Sequence, residues 1–431
     1  DGIRDVAVTG VQTCALPIYN IVYFVFVDNS SGKDGMGFGT PFSGNLSINY
    51  GTEAQFATGY GYTGQIGIQS CAYDTVNNKV VYLYTDGTSP YKPFAVVCTP
   101  QAGPSATFGT PVQVASSMSY QNKVIYDVAS GKMVLYYKTL VSSHYVINAV
   151  VGTVSGTSIS FGTPVVAYTA TGSVWFDVVY NSTNNNHILA WGDDGGTGAA
   201  VIGTVSGTSI SFGSAAIFRN GTCLTGGTPL SVTWDSGAQR IVVGYIDNAS
   251  PNNVAYVSVG SISGTTITFG SATRLPDVSL STVSGITLLT LAYDSYAART
   301  FVALWKSGTG QWALDLTVSG TTASIGNRLA LPASNYSMTA YGTIYSLNSI
   351  FLGGSINKIL YTFNGYASLV QGYYVTTNAT GWFGLATGTV TNGQSVGVTA
   401  LGGINTNQSG LTANTVYYMS STGTMTSASP G

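Results

Sequence analysis

Charge is what this chain of 431 residues has least of: 7% of it is Asp, Glu, Lys or Arg, against roughly 25% in ordinary globular domains. Fourteen basic against sixteen acidic residues leave a formal charge of −2. That is too little for a positive track along a phosphate backbone, so no nucleic-acid partner is expected. Glutamate occurs once, at Glu53. With only His144 and His187, a three-histidine zinc site cannot form within one chain. The four cysteines, at 14, 71, 98 and 223, form no CxxC pair and no disulfide framework. Cys71 and Cys98 fall on strand-like segments and read as buried thiols. Gly, Ser, Thr or Asn interrupts every apolar stretch before the ~18 residues that span a bilayer, so no membrane insertion is expected. The glycine-rich runs lack a following GKS or GKT, and no motif calls for a cofactor or a metal.

What remains is glycine, tyrosine and small polar residues. With 55 Gly, 29 Tyr and 44% hydrophobic residues, the composition suits many short strands joined by tight turns. Three near-copies dominate the middle of the chain: VGTVSGTSISFGTPVV from Val151, IGTVSGTSISFGSAAI from Ile202 and VGSISGTTITFGSATR from Val259. Looser copies carry Phe38-Gly39, Phe108-Gly109 and Ile325-Gly326. The marking glycines fall at 39, 109, 162, 213, 270 and 326, in steps of 70, 53, 51, 57 and 56.

A second mark runs in phase: CAYD, VIYD, VVYN, VTWD and LAYD end at Asp74, Asp127, Asn181, Asp235 and Asp294. A short turn follows each, and the Asp or Asn is expected to cap it by accepting backbone N–H groups just ahead. An apolar strand comes next, then a third strand leading through Ser-Gly-Thr into a short fourth. Four antiparallel strands in about 50 residues, repeated, predict an all-β propeller, because stacked small sheets bury faces that one sheet alone cannot. Counting the partial units at both ends predicts seven blades, with six as the alternative. A β-solenoid fits less well, since its coils are shorter, about 20 to 30 residues.

Residues 1–18, DGIRDVAVTGVQTCALPI, match neither mark. They could be read as a lipoprotein cleavage region around Cys14. They resemble more closely the translation of a short-read sequencing adapter, with Val6 and Ala7 as its two variable positions. On that resemblance 1–18 is a non-native segment, 19–368 the propeller and 369–431 a C-terminal β-module with its own end truncated.

The module resembles one found at the ends of bacteriophage tail-fibre and related virion proteins. The residues that carry the likeness are Trp382-Phe383-Gly384 with Ala386, the NGQSVGV turn at Asn392 to Val398, and NQSGLTANTVYYMSSTGTM from Asn407 to Met425. The VSGTSISFGTPVV repeats are likewise similar to those of predicted marine phage proteins. The resemblance implies an extracellular virion component whose partners are a host-surface glycan or receptor and other virion proteins, with a homo-oligomer in keeping with a fibre.

Candidate site residues are aromatic. Between Gly39 and Tyr73 the rhythm is interrupted, and SGNLSINYGTEAQFATGYGYTGQ holds Tyr50, Tyr60 and Tyr62, rings suited to stacking on sugar faces. Tyr91 in TDGTSPYKP, and Trp191, Asp193 and Asp194 in WGDDGG, are further carbohydrate-binding candidates. Glycosidase chemistry needs two carboxylates flanking the scissile bond. Asp86, Asp177, Asp193, Asp194 and Asp247 are available, though a place as turn aspartates in strand connections accounts for them better. The expectation is therefore a non-enzymatic tail-fibre component that contacts the host through glycan. A secreted adhesin or lectin-like propeller is the alternative, and a polysaccharide-degrading propeller the third.

Overall fold

The computed structural model describes backbone for the strands given below and side chains over residues 70–86, 90–101, 106–221, 230–247, 254–276, 289–295, 297–304 and 312–326. Contacts divide the chain into two units, 1–377 and 378–431.

The first unit is a β-propeller. Seven antiparallel sheets succeed one another, and their first strands are Thr13–Leu16, Ser70–Asp74, Ser119–Asp127, Val174–Asn181, Ser231–Asp235, Ile286–Asp294 and Ile344–Leu352. Each first strand touches the first strand of the next sheet. We number these sheets as blades one to seven. Thr13–Leu16, inside the segment expected to be non-native, pairs with Ile21–Phe24 in blade one.

Blade three shows how the sequence marks make a sheet. Ser119–Asp127 pairs with Lys132–Val141, which pairs with His144–Ser155. The expected fourth strand is split: Ser158–Phe161 pairs with the end of the third strand and Val165–Thr169 with its beginning. The break falls at Phe161-Gly162, where the Gly162 N–H still donates to Val151 O. Blades one, two, four and five repeat the split, so the expected four strands are five there.

The two marks have separate physical causes. Oδ1 of Asp74, Asp127, Asn181, Asp235 and Asp294 accepts from Val76 and Asn77, Ser130, Thr183 and Asn184, Ala238, and Ala297 respectively. The caps are those expected from the sequence. The glycine of the first mark makes a close approach between blades. A Cβ on Gly109 would lie 1.8 Å from Thr157 O, and one on Gly162 1.9 Å from Thr208 O. Each of these threonines sits in the Ser-Gly-Thr turn of the following blade.

Packing runs blade to blade. Ile125, Tyr136, Ile147, Phe176, Leu189 and Trp191 form one buried cluster between blades three and four. Val179, Ile188, Trp234 and Val243 continue it between four and five. At roughly 25 cal/mol per Å2 of buried apolar surface, such joints rather than ion pairs dominate the stability of a chain this poor in charge.

Blade one corrects the phase of the first glycine mark. Gly39 lies in the third strand, Lys33–Pro41, opposite Tyr50. Gly152 lies opposite Phe161 in the same way, and Gly203 opposite Phe212. Tyr50-Gly51 is thus the true counterpart of Phe161-Gly162, and its distance to Gly109 is 58, in line with the other steps. Within the stretch where the rhythm is interrupted, Ile48–Tyr50 and Ala54–Thr58 are the two halves of an ordinary outer strand.

The expected module boundary also moves. Val370–Val375 pairs with Lys358–Gly365 in blade seven, so the second unit begins at residue 378 rather than 369. Within that unit Gly384–Ala386 pairs with Val398–Ala400, and Tyr418–Met419 with Met425–Thr426.

Candidate functional site

The first strand of each blade has an edge with no strand beside it, and its N–H groups need acceptors. Four residues before each Asp or Asn mark stand Ser70, Lys123, Asp177, Ser231 and Thr290, all nearly buried. Ser70 Oγ accepts Val124 N–H of the next blade, Asp177 Oδ2 accepts Val232 N–H, and Ser231 Oγ accepts Leu291 N–H. Lys123 has no acceptor to offer. Asp177 substitutes for it, taking its own strand's Val178 N–H on Oδ1 while the same oxygen pairs with Lys123 Nζ at 2.8 Å. This side-chain stitching sets the first strands of blades three and four in fixed register.

Gln121 adds a second stitch. Its amide donates to Phe176 O and accepts from Phe176 N–H, 2.6 and 3.3 Å. Just before it the pairing of the first and second strands slips between Ser119 and Gln121, so Tyr120 is a bulge residue. Bulges re-aim side chains, and the Tyr120 ring meets the Tyr145 ring edge-on at 5.4 Å.

Lys138 stands opposite Gln121 on the second strand. It is buried, and Nζ donates to Val174 O across the joint at 2.9 Å. The Tyr145 ring lies 5.1 Å from Nζ and the Trp175 ring 4.4 Å, both within cation–π range. Burial pulls the pKa of Lys138 down to about 8. Tyr120, Tyr145 and Trp175 are each half-buried, and the last two flank the buried ammonium. Beside Tyr145, the hairpin tip carries exposed Leu140 and Val141.

The sequence candidates are distributed otherwise. Trp191 is buried and stacked on Tyr168 at 4.4 Å, which corrects the expectation of a ring open to sugar. Asp193 is 0% exposed. Its two oxygens accept from Tyr168, Thr171, Gly172 and Gly195, and Asp194 accepts from Ser173. These aspartates fasten the incoming connection of blade four to its hairpin, a structural task in place of the expected binding one. Asp86 accepts Lys92 N–H across its own hairpin, and Asp247 pairs with Arg219 at 3.0 Å. Tyr91 is half-buried with φ 57°, and its carbonyl accepts Ser119 N–H. Tyr60 and Tyr62 lie outside the described residues, as does the side chain of Tyr50.

His144 is exposed, whereas His187 is fully buried. His187 Nε2 lies 3.0 Å from Asp127 Oδ2 across the joint of blades three and four. Burial pushes the Asp127 carboxyl up, but hydrogen bonds from His187 and Ser130 and the imidazole beside it outweigh that and hold it below the usual carboxylate range. Cys71 and Cys98 are buried, as expected. Among the described residues no group of three or more His, Cys, Asp or Glu could hold a metal ion. No helix among them is long and apolar enough to cross a membrane.

Sequence reasoning passed over Tyr120, Lys138, Tyr145 and Trp175 because each sits in an ordinary strand. Only the bulge and the blade joint bring them together.

No family model matches the chain, and no curated protein does. Solved propellers do. A mutant of the NanB sialidase of Streptococcus pneumoniae aligns over 85% of this chain and 68% of its own, with 11% identity and a TM-score of 0.44. The intramolecular trans-sialidase of Ruminococcus gnavus aligns over 69% and 89%, with 11% identity and a TM-score of 0.42. A prolyl endopeptidase aligns over 84% and 48%, with 9% identity and a TM-score of 0.40. The class shared with them is the β-propeller. The expectation of a tail-fibre component is corrected by these neighbours, a sialidase, a trans-sialidase and a prolyl endopeptidase, none of them a virion protein.

Proposed function

We propose that the protein is a carbohydrate-directed propeller of lectin-like type, and that Tyr120, Tyr145 and Trp175 form its sugar-binding face. The observation that carries this is the cluster itself: the half-buried rings of Tyr145 and Trp175 flank Lys138, and the half-buried Tyr120 meets Tyr145 edge-on, all three on strands. Aromatic rings give large contact area at low conformational cost. Rings on strands hold their geometry better than rings on loops.

The experiment is binding of the full chain to an array of bacterial and plant glycans, beside Trp175→Ala and Tyr145→Ala variants of matched thermal stability. Specific binding that both variants lose supports the reading. Binding that both keep at full strength sinks it.

Cleavage of the bound polymer is a second reading, and Asp177 favours it. This carboxylate lies two residues from Trp175 on the same face of the strand, and Lys123 holds it at 2.8 Å. Reducing ends released from a bound polysaccharide by the intact protein, but not by Asp177→Asn, would support that reading. Release undiminished in the variant would remove Asp177 from it.

A further inference from the structure

Lys138 and Lys123 are the two buried lysines among the described residues, and Lys123 pairs with Asp177. Lys138 is 3% exposed and makes no ion pair among the described residues. An ammonium has three donors. One is given to Val174 O, and two ring faces flank the rest. A buried charge is costly unless an opposite charge compensates it.

The groups facing Lys138 from each packed element are these. Its own strand and the first strand bring Gln121 and the Lys123–Asp177 pair, which is neutral in sum. The third strand brings Tyr145, with His144 exposed beyond it. Blade four brings Trp175 and, opposite Val174 in the register, Asp193, whose oxygens are already filled by donors of its own blade. The cation is therefore left with two half-buried aromatic faces and one carbonyl for company.

Resting on the sugar-binding reading above, we propose that this face takes an acidic sugar, a uronic-acid residue whose carboxylate balances Lys138 while its ring stacks on Trp175 or Tyr145. Neither stacking nor the carbonyl can distinguish an acidic from a neutral sugar; the ammonium can. A charge-assisted contact in a partly desolvated site is worth about tenfold in affinity.

The test uses the full chain and four probes: polygalacturonate, alginate, and each polymer after reduction of its carboxyl groups to alcohols. Dextran sulfate serves as a fifth. The expected result is affinity for at least one acidic polymer about tenfold above its reduced form, abolished by Lys138→Met and retained in part by Lys138→Arg. Because Met fills the same buried space without charge, the variant should fold, and its melting temperature checks that. Equal binding of acidic and reduced polymers overturns the inference while leaving the sugar-binding reading intact. Dextran sulfate bound as tightly as the uronates overturns the choice of a carboxylate. Binding of none of the probes, with neutral glycans bound on the array, overturns the inference alone; no carbohydrate bound in either assay overturns both.

Discussion

Gly162 approaches the following blade so closely that a Cβ on it would stand 1.9 Å from the carbonyl oxygen of Thr208. No real Cβ contact is that short, so Gly162→Ala must push two blades apart or distort the Ser-Gly-Thr turn. Gly213 makes the same approach more loosely, at 2.8 Å to Thr265 O. Gly162→Ala is therefore expected to cost about 1–3 kcal/mol, and Gly213→Ala less. Urea unfolding of the two variants checks the order; equal losses would show that the contact does not set the cost.

Ser231 Oγ is the acceptor for Leu291 N–H, and both are buried. Ser231→Ala leaves that N–H unpaired, at a cost of about 1–3 kcal/mol. Local amide exchange reads it directly: the Leu291 amide should exchange faster in the variant while amides of blade three keep their protection. Unchanged protection at Leu291 would mean that another acceptor takes over.

The Asp127 carboxylate carries a pH signature. Its pKa is lowered in the folded state, so its contribution is full above the usual carboxylate range and is lost as pH falls through the lowered value. His187→Leu removes the hydrogen bond to Oδ2 and leaves burial opposed by Ser130 alone. The variant should lose about 2 kcal/mol near neutral pH and unfold at a higher pH on acid titration. An acid midpoint equal to that of the parent chain would contradict the pairing.

Lys138 has the opposite sign. Its pKa falls from 10.5 in the usual state to about 8 in the fold. Between those values the unfolded chain holds the proton and the folded chain has released it, so stability rises with pH across the interval. Below it the buried ammonium is a burden, and Lys138→Met should be the more stable protein. The gap between variant and parent is expected to close from pH 8 to pH 10.5, as read by urea unfolding at each pH. A gap independent of pH would contradict a charged, desolvated Lys138.

Much of the fold was legible because its marks have local causes. The Asp and Asn of CAYD, VIYD and VVYN cap turns within three residues of themselves, and a cap leaves its residue type in the sequence. The Phe-Gly mark was legible as a repeat, but its cause lies in the next blade's turn, and Phe38-Gly39 imitates it one strand too early. Trp191 and Asp193 looked like surface candidates because tryptophan beside acidic residues and glycines is common in binding loops. Their burial depends on Tyr168 and Thr171, some 20 residues away in sequence. Lys138 and Trp175 carried no mark at all, since a lysine within a strand and a tryptophan before VVYN acquire meaning only when blades three and four are set side by side.

The measurement that tests the central claim most directly is glycan binding by the full chain with and without Trp175. Specific binding in the parent, lost in a stably folded Trp175→Ala, is the result predicted for a sugar-directed propeller. Glycan binding that survives the substitution, or no binding to any glycan by a folded parent protein, would contradict it.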